Sequence, residues 1–256
     1  MCLILFAWQS HPRYSLIVAA NRDEFHQRPS AAADFWESDP DILAGRDLEA
    51  GGTWLGLTRS GRFAAITNYR ESLTPGHSPE RSRGHLVSDF LKSGVAPLEC
   101  AGNVYKAGPA YQGFNLLLGT AEELAYVSNR SEKAVPVGAG SHGLSNHLLD
   151  TDWPKIHSGR DRLDRLLQGE TLEAEALFEL LTDKTLAPGT MPENIEASLA
   201  PERLMKHYFI VSPVYGTRCS TVVLVGRDGR IQFLERQFNV QGQATGTSAY
   251  SFQTSP

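Results

Sequence analysis

Cysteine is scarce in this chain: Cys2, Cys100 and Cys219 are the three among 256 residues. The count is odd, and no CxxC, CxxCH or Cys/His metal spacing occurs. That excludes a disulfide scaffold and fits a reducing compartment, with no metal site expected. An excess of positive charge is also missing. With 24 basic and 29 acidic residues the net charge is −5, and no basic stripe runs along the chain. Nothing marks a nucleic-acid partner or an anionic membrane surface. No apolar run approaches a membrane span. The first one is too short for a signal peptide and lacks a basic start. A cytoplasmic protein is the default, with organelle import left open. No repeat, low-complexity tract or linker divides the sequence, so one domain over residues 1–256 is expected.

What is present begins at residue two. Cys2 precedes a short apolar run, Leu3-Ile4-Leu5-Phe6. Removal of Met1 is favoured by a small second residue and would leave a thiol and a free α-amine on Cys2. An α-amine titrates near about 8, so it can take the thiol proton directly or through a water. Nucleophile and base then sit on one residue. The alternative reading is a small apolar residue in a buried first strand.

Short strands dominate the pattern. Residues 2–8 and 14–20 read as two strands around a polar turn with Ser10, His11 and Pro12. Residues 53–57 and 63–67 flank Arg59-Ser60-Gly61, and 219–225 and 231–236 flank Arg227-Asp228-Gly229, both hairpin signals. Residues 114–118, 124–128 and 134–137 read as further strands. Helical spacing predicts helices over 85–92, 97–106, 153–167 and 172–181. Residues 70–83 read as a surface loop, and 187–201 as a loop or lid. The order is strands, helices, strands, helices, strands. Hairpins make the sheets mainly antiparallel, and two sheets between helix layers bury all these faces economically. The fold class is α+β.

Several polar residues sit at the ends of apolar strands. In Asn21-Arg22-Asp23-Glu24-Phe25, Asp23 either belongs to a solvated turn or holds the α-ammonium of Cys2. Arg22 can lower the thiol pKa through its positive field. Asn68 and Asn146 are either turn residues or amide donors to an oxyanion. Arg218 is a surface charge or an anion clamp. Trp8, Phe25, Phe35, Trp36, Trp54 and Tyr69 are either core or the lining of a flat apolar pocket.

Taken in order, Cys2, Asn21-Arg22-Asp23-Glu24-Phe25, Gly51-Gly52-Thr53-Trp54-Leu55-Gly56, Thr67-Asn68-Tyr69, Gly113-Phe114-Asn115-Leu116, Gly143-Leu144-Ser145-Asn146 and Tyr215-Gly216-Thr217-Arg218 resemble the NRDE family, whose eukaryotic namesake is the transport and Golgi organisation protein two. The segment Leu148-Leu149-Asp150-Thr151-Asp152-Trp153-Pro154-Lys155 resembles it too. That family is similar to the N-terminal nucleophile hydrolases, in the cysteine branch of penicillin V acylases and bile salt hydrolases. The resemblance implies an αββα sandwich. It implies Cys2 as nucleophile, Asp23 as the carboxylate orienting the α-amine, Asn68 and Asn146 as amides near the nucleophile, and Arg218 as the branch arginine. One departure concerns Arg22. In a regular strand it points away from the face of Asn21 and Asp23, and a bulge is one way to bring it back.

Two functions follow. The first is a Cys2-dependent hydrolase or acyltransferase on an amide or thioester of an apolar acid, needing no cofactor. The second, implied by the resemblance, is a carrier using the same cleft for haem or an acyl-coenzyme A. For haem, His11, His26, His77, His85, His142, His147, His157 and His207 are available as axial ligands, but none lies in an attachment motif. The ligand in either case is a small apolar acyl or haem-like molecule. The oligomeric state is not legible.

Overall fold

Apolar side chains run without interruption through the first strands because both faces are covered. The computed structural model describes residues 2–70, 81–169, 171–183 and 207–255. Strand β1 (Leu3–Trp8) pairs antiparallel with β2 (Tyr14–Phe25), Leu3 opposite Asn21 and Trp8 opposite Leu16. On one face Ile4, Phe6, Val18 and Ala20 join a cluster between two sheets. On the other, Leu3, Leu5, Ile17 and Ala19 join a cluster with helices.

The first sheet has six strands. From one edge these are β10 (Gly140–Leu144), β1, β2, β11 (Tyr215–Gly226), β12 (Arg230–Phe238) and β13 (Ala244–Gln253). The second has seven in chain order: β3 (Ser30–Trp36), β4 (Asp39–Asp47), β5 (Leu55–Thr58), β6 (Phe63–Asn68), β7 (Phe114–Gly119), β8 (Leu124–Ser128) and β9 (Val135–Pro136). The pairings are antiparallel throughout.

Helices α1 (Gly84–Lys92) and α2 (Pro97–Ala107) cover the outer face of the second sheet, setting Leu86, Phe90 and Ala101 against Ala64, Leu116 and Leu118. Helices α3 (Pro154–Leu167) and α4 (Ala174–Thr182) cover the first, with Ile156, Leu163 and Leu177 against Leu3, Leu5 and Val222. Between the sheets, Val18, Val223 and Phe233 meet Leu43, Leu57 and Leu117. Each such buried side chain contributes about 1.5–3 kcal/mol. The layers are helix, sheet, sheet, helix, the αββα sandwich that the strand order and the resemblance both imply.

Both expected hairpins form. Gly61 and Gly229 take φ of +85° and +82° in their turns, where an L side chain would be strained. Four strands were not legible in the sequence. β3, β4 and β10 carry Asp, Pro or two glycines, and β13 is mostly small and polar, with Tyr250 and Phe252 alone reaching the core, and lies at a sheet edge. Their place is set by ladder partners, not by their own apolar pattern. Strand β2 also runs on through the Asn-Arg-Asp-Glu motif to Phe25, five residues past its apolar stretch. Residues 71–80 of the expected loop and the whole 187–201 segment lie outside the described residues. Among the described residues no helix is long and apolar enough to cross a membrane.

Candidate active site

Side-chain alternation sorts the end of β2. Asn21 faces the helix layer. Its Nδ2 donates to the carbonyls of Leu181 at 2.9 Å and Tyr208 at 2.7 Å, and its Oδ1 accepts from Ser220 Oγ at 2.6 Å. It ties the sheet to the segments around α4. Arg22 takes the opposite face, as a regular strand requires. That face is the one Cys2 uses: Ile4 lies across from Ala20 between the sheets, and Cys2 and Arg22 extend the same two rows by one step of two. Alternation therefore brings Arg22 to the thiol. A bulge is nevertheless present, in β11. Thr217 pairs with Asp23 and Cys219 with Arg22, which leaves Arg218 as the extra residue.

The two sheets part at these strand ends around a cavity of about 340 Å³. Cys2, Arg22, Asp23, Asn68 and Arg218 all line it. Trp54, Gly52 and Gly84 form part of the rim. Gly52 permits that rim: a Cβ there would lie 2.6 Å from the Gly84 carbonyl carbon, so the start of α1 can approach only a glycine. Arg22 and Asp23 are 8% and 6% exposed, which rules out a solvated turn for this motif.

Burial dominates the electrostatics. It pushes the Cys2 thiol up, helped by the Asp23 charge and opposed by the Asp23 amide N–H and Arg22. It pushes the Asp23 carboxyl up to about 6 although Thr217 Oγ1 donates to Asp23 Oδ1 at 2.7 Å and Lys155 and Arg22 lie near. Arg22 Nη1 is buried and has no hydrogen-bond partner among the described residues, and Nη2 sits 4.0 Å from Glu24 Oε2. An orphaned guanidinium nitrogen beside a cavity is poised for an acceptor on a ligand.

Asn68 closes β6 with an exposed side chain on the cavity. Asn146 is buried behind it and is absent from the cavity lining. Its Nδ2 donates to the Asn68 carbonyl at 2.8 Å. Its neighbour Ser145 donates from Oγ to the Cys2 carbonyl at 2.8 Å, fixing the Cys2 backbone. Arg218 is neither a free surface charge nor fully committed. Its Nη1 donates to the carbonyls of Phe25 at 2.9 Å, His26 at 3.3 Å and Arg28 at 3.1 Å while the residue lines the cavity.

Four contributors were not singled out from sequence. Thr217 bonds Asp23, and Ser145 bonds Cys2. Lys155, 2% exposed in the first turn of α3, feels the charges of Asp23 and Cys2. Glu235 is buried on the cavity wall, where it accepts from the Ala33 N–H at 2.8 Å and so joins β12 to β3 across the two sheets. Lys155 and Glu235 alternate or repeat with apolar neighbours, and a charged residue at a core position is the signal that marks them.

Of the aromatic candidates Trp54 lines the cavity, while Trp8 and Trp36 are core. Phe25 stacks edge-on against Tyr215, and Tyr69 lies against His147. No histidine among the described residues lines the cavity, and His77 lies outside them. Among the described residues no cluster of three or more His, Cys, Asp or Glu side chains is arranged to hold a metal ion.

Comparison with known proteins agrees with the fold. Penicillin V acylase from Agrobacterium tumefaciens superposes with a TM-score of 0.52 over 99% of this chain and 86% of its own, at 13% identity. The shared feature at that distance is the N-terminal nucleophile hydrolase fold. The bovine Transport and Golgi organization protein 2 homolog is 38% identical over 257 residues, covering 92% of each chain, and the human homolog 37% over the same length and shares. The Drosophila melanogaster protein is 28% identical over 264 residues. The model of the family described as Transport and Golgi organisation 2 matches residues 1–240. With that span and those identities along nearly the whole length, the chain belongs to the Transport and Golgi organisation 2 family.

Proposed function

We propose that the chain is a Cys2-dependent hydrolase or acyltransferase acting on an amide or thioester of an apolar acid. The observation that carries this reading is the convergence of Cys2, Arg22, Asp23 and Asn68 on one cavity. Removal of Met1 exposes the α-amine of Cys2. The amine takes the thiol proton, and the thiolate attacks the acyl carbon. The side-chain amide of Asn68 donates to the oxyanion that forms, an interaction worth about 3 kcal/mol in the barrier. The resulting ammonium, held by the Asp23 carboxylate, returns its proton to the leaving amine or thiol. Water or a second nucleophile then releases the acyl group from the thioester.

The test is the intact mass of the mature protein before and after exposure to electrophilic acyl substrates. Loss of Met1 and a single acyl adduct that Cys2→Ala cannot form are the expected results. Retained Met1 in the cellular protein would remove the proposed base. Absence of adduct and product across several amides and thioesters would sink the catalytic reading.

A carrier is the second reading, and the composition of the cavity favours it. Arg22, Arg28, Arg46, Arg83 and Arg218 line the space together with Asp23, Glu24, Asp47 and Glu235, and although Arg28 is paired with Asp47, the unpaired Nη1 of Arg22 suits an anionic group such as those of haem or an acyl-coenzyme A. Burial of the Cys2 thiol in its neutral form also fits binding without turnover. Titration of haem and an acyl-coenzyme A into wild type and Cys2→Ala separates the two. A carrier keeps its affinity in Cys2→Ala and loses it on Arg22 or Trp54 substitution. An iron–thiolate bond would instead appear as a haem absorption shift that Cys2→Ala abolishes.

A further inference from the structure

Lys155 violates two local rules at once. A lysine ammonium is almost never fully buried unless paired, and Lys155 is 2% exposed. A positive charge in the first turn of a helix also opposes the helix dipole, and Lys155 directly follows Pro154 at the start of α3. A nearby anion has to offset both penalties.

The fold supplies one. Helix α3 lies on the helix-facing side of the first sheet, against β1 and β10. Asp23 follows Asn21 on that same side by alternation. The charges that act on Lys155 are those of Asp23 and Cys2. The nearest aromatic surface to the ammonium is the Trp153 ring, its centroid 5.6 Å from Nζ, which adds a cation–π contact but no negative charge. From the other face Arg22 reaches the cavity beside Cys2. Asp23 is thus flanked by a lysine from the helix layer and an arginine from between the sheets, with Thr217 donating to one carboxylate oxygen.

We propose that Lys155 is a positioning residue of the Cys2 centre: its buried ammonium keeps Asp23 a carboxylate, and Asp23 in turn holds the amine that serves the thiol. This rests on the Cys2 reading above. Burial pushes the Asp23 carboxyl up, and the Lys155 charge adds to the Thr217 hydrogen bond and the Arg22 charge in pulling it back toward the carboxylate. The groups facing this unit are few. Cys2 is faced by Asp23, Arg22, Lys155 and the Cys219 thiol, which itself borders Glu235.

The test needs no substrate. Alkylation of Cys2 by iodoacetamide is followed by peptide mass across pH in wild type, Lys155→Met, Lys155→Arg, Asp23→Asn and the Lys155→Met/Asp23→Asn pair. Loss of the lysine charge should move the alkylation midpoint up by about one pH unit, and loss of the aspartate charge should move it down. The pair should return near wild type, because the charges removed cancel. Lys155→Arg should stay near wild type. A purely structural lysine would speed alkylation of every buried thiol without these opposed shifts. A folded Lys155→Met protein with the wild-type midpoint overturns the proposal. Should Lys155→Met fail to fold, trace acetylation across pH reads Lys155 directly in wild type and Asp23→Asn. The lysine should titrate lower once Asp23 is neutral, and an unchanged titration overturns the proposal equally. Opposed midpoints together with no acyl-enzyme in the mass experiment would uphold the charge arrangement and remove the hydrolase reading alone.

Discussion

Asn146 gives its side-chain N–H to the backbone carbonyl of Asn68 at 2.8 Å. The two amides proposed for oxyanion chemistry are therefore linked in series: one reaches the cavity, and the other holds the strand end that carries it. Ser145, beside Asn146, does the same for the Cys2 carbonyl. A single short segment after β10 thus positions both Cys2 and the amide proposed to serve it.

That linkage separates two variants. Asn68→Ala should leave stability within about 0.5 kcal/mol, because the side chain is exposed, and slow acyl-enzyme formation roughly a hundredfold. Asn146→Ala should lower stability by about 1–3 kcal/mol by stripping the Asn68 carbonyl of its donor. Urea midpoints and acylation rates check both. Equal effects of the two variants on stability would contradict the series arrangement.

The buried charges predict a pH signature. Asp23 is pushed up from 3.8 to about 6. Between those values the folded chain keeps a proton that the unfolded chain has lost, so stability falls as pH rises. Lys155 is pushed down from 10.5 to about 8. Between those values the unfolded chain keeps a proton that the folded chain has lost, so stability rises with pH. The pair should carve a trough between about pH 6 and 8. Urea denaturation across pH should show it, and the Lys155→Met/Asp23→Asn variant should fill it. A trough of unchanged depth in that variant would place its origin in other groups.

At the rim, Gly52→Ala should cost about 1–3 kcal/mol, since the added Cβ meets Gly84 backbone and not a flexible side chain. The displaced start of α1 should also weaken ligand binding. Thermal melts and a ligand titration measure the two effects. Wild-type stability would mean that α1 and the Gly-Gly-Thr-Trp turn separate without penalty.

Arg218→Lys should reduce both stability and ligand affinity. The guanidinium spans three carbonyls of the turn after β2 while facing the cavity, and an ammonium lacks that planar reach. Unfolding and binding measured on one preparation test this. Affinity that stays constant while stability falls would assign Arg218 to the turn alone.

Much of this was determined by the sequence itself. Uninterrupted apolar runs and hairpin turns led to two antiparallel sheets, and helical spacing located the four α-helices of the described residues. The position of Cys2 and the carboxylate, amide and guanidinium groups at strand ends marked the cavity. These signals are local, and local chemistry expresses them. Other features had no such signal. Strand β13 shows apolar alternation only at Tyr250 and Phe252, too little to mark a strand of ten residues, and β12 offers it a ladder. Whether Arg22 reaches the thiol depends on which face Cys2 takes, and only pairing of β1 with β2 decides that. Asn146 serves Asn68, and Lys155 serves Asp23, across elements far apart in the chain. A hydrogen bond in the one case and a charge felt between layers in the other are fixed by how layers stack, and stacking is a property of the folded chain.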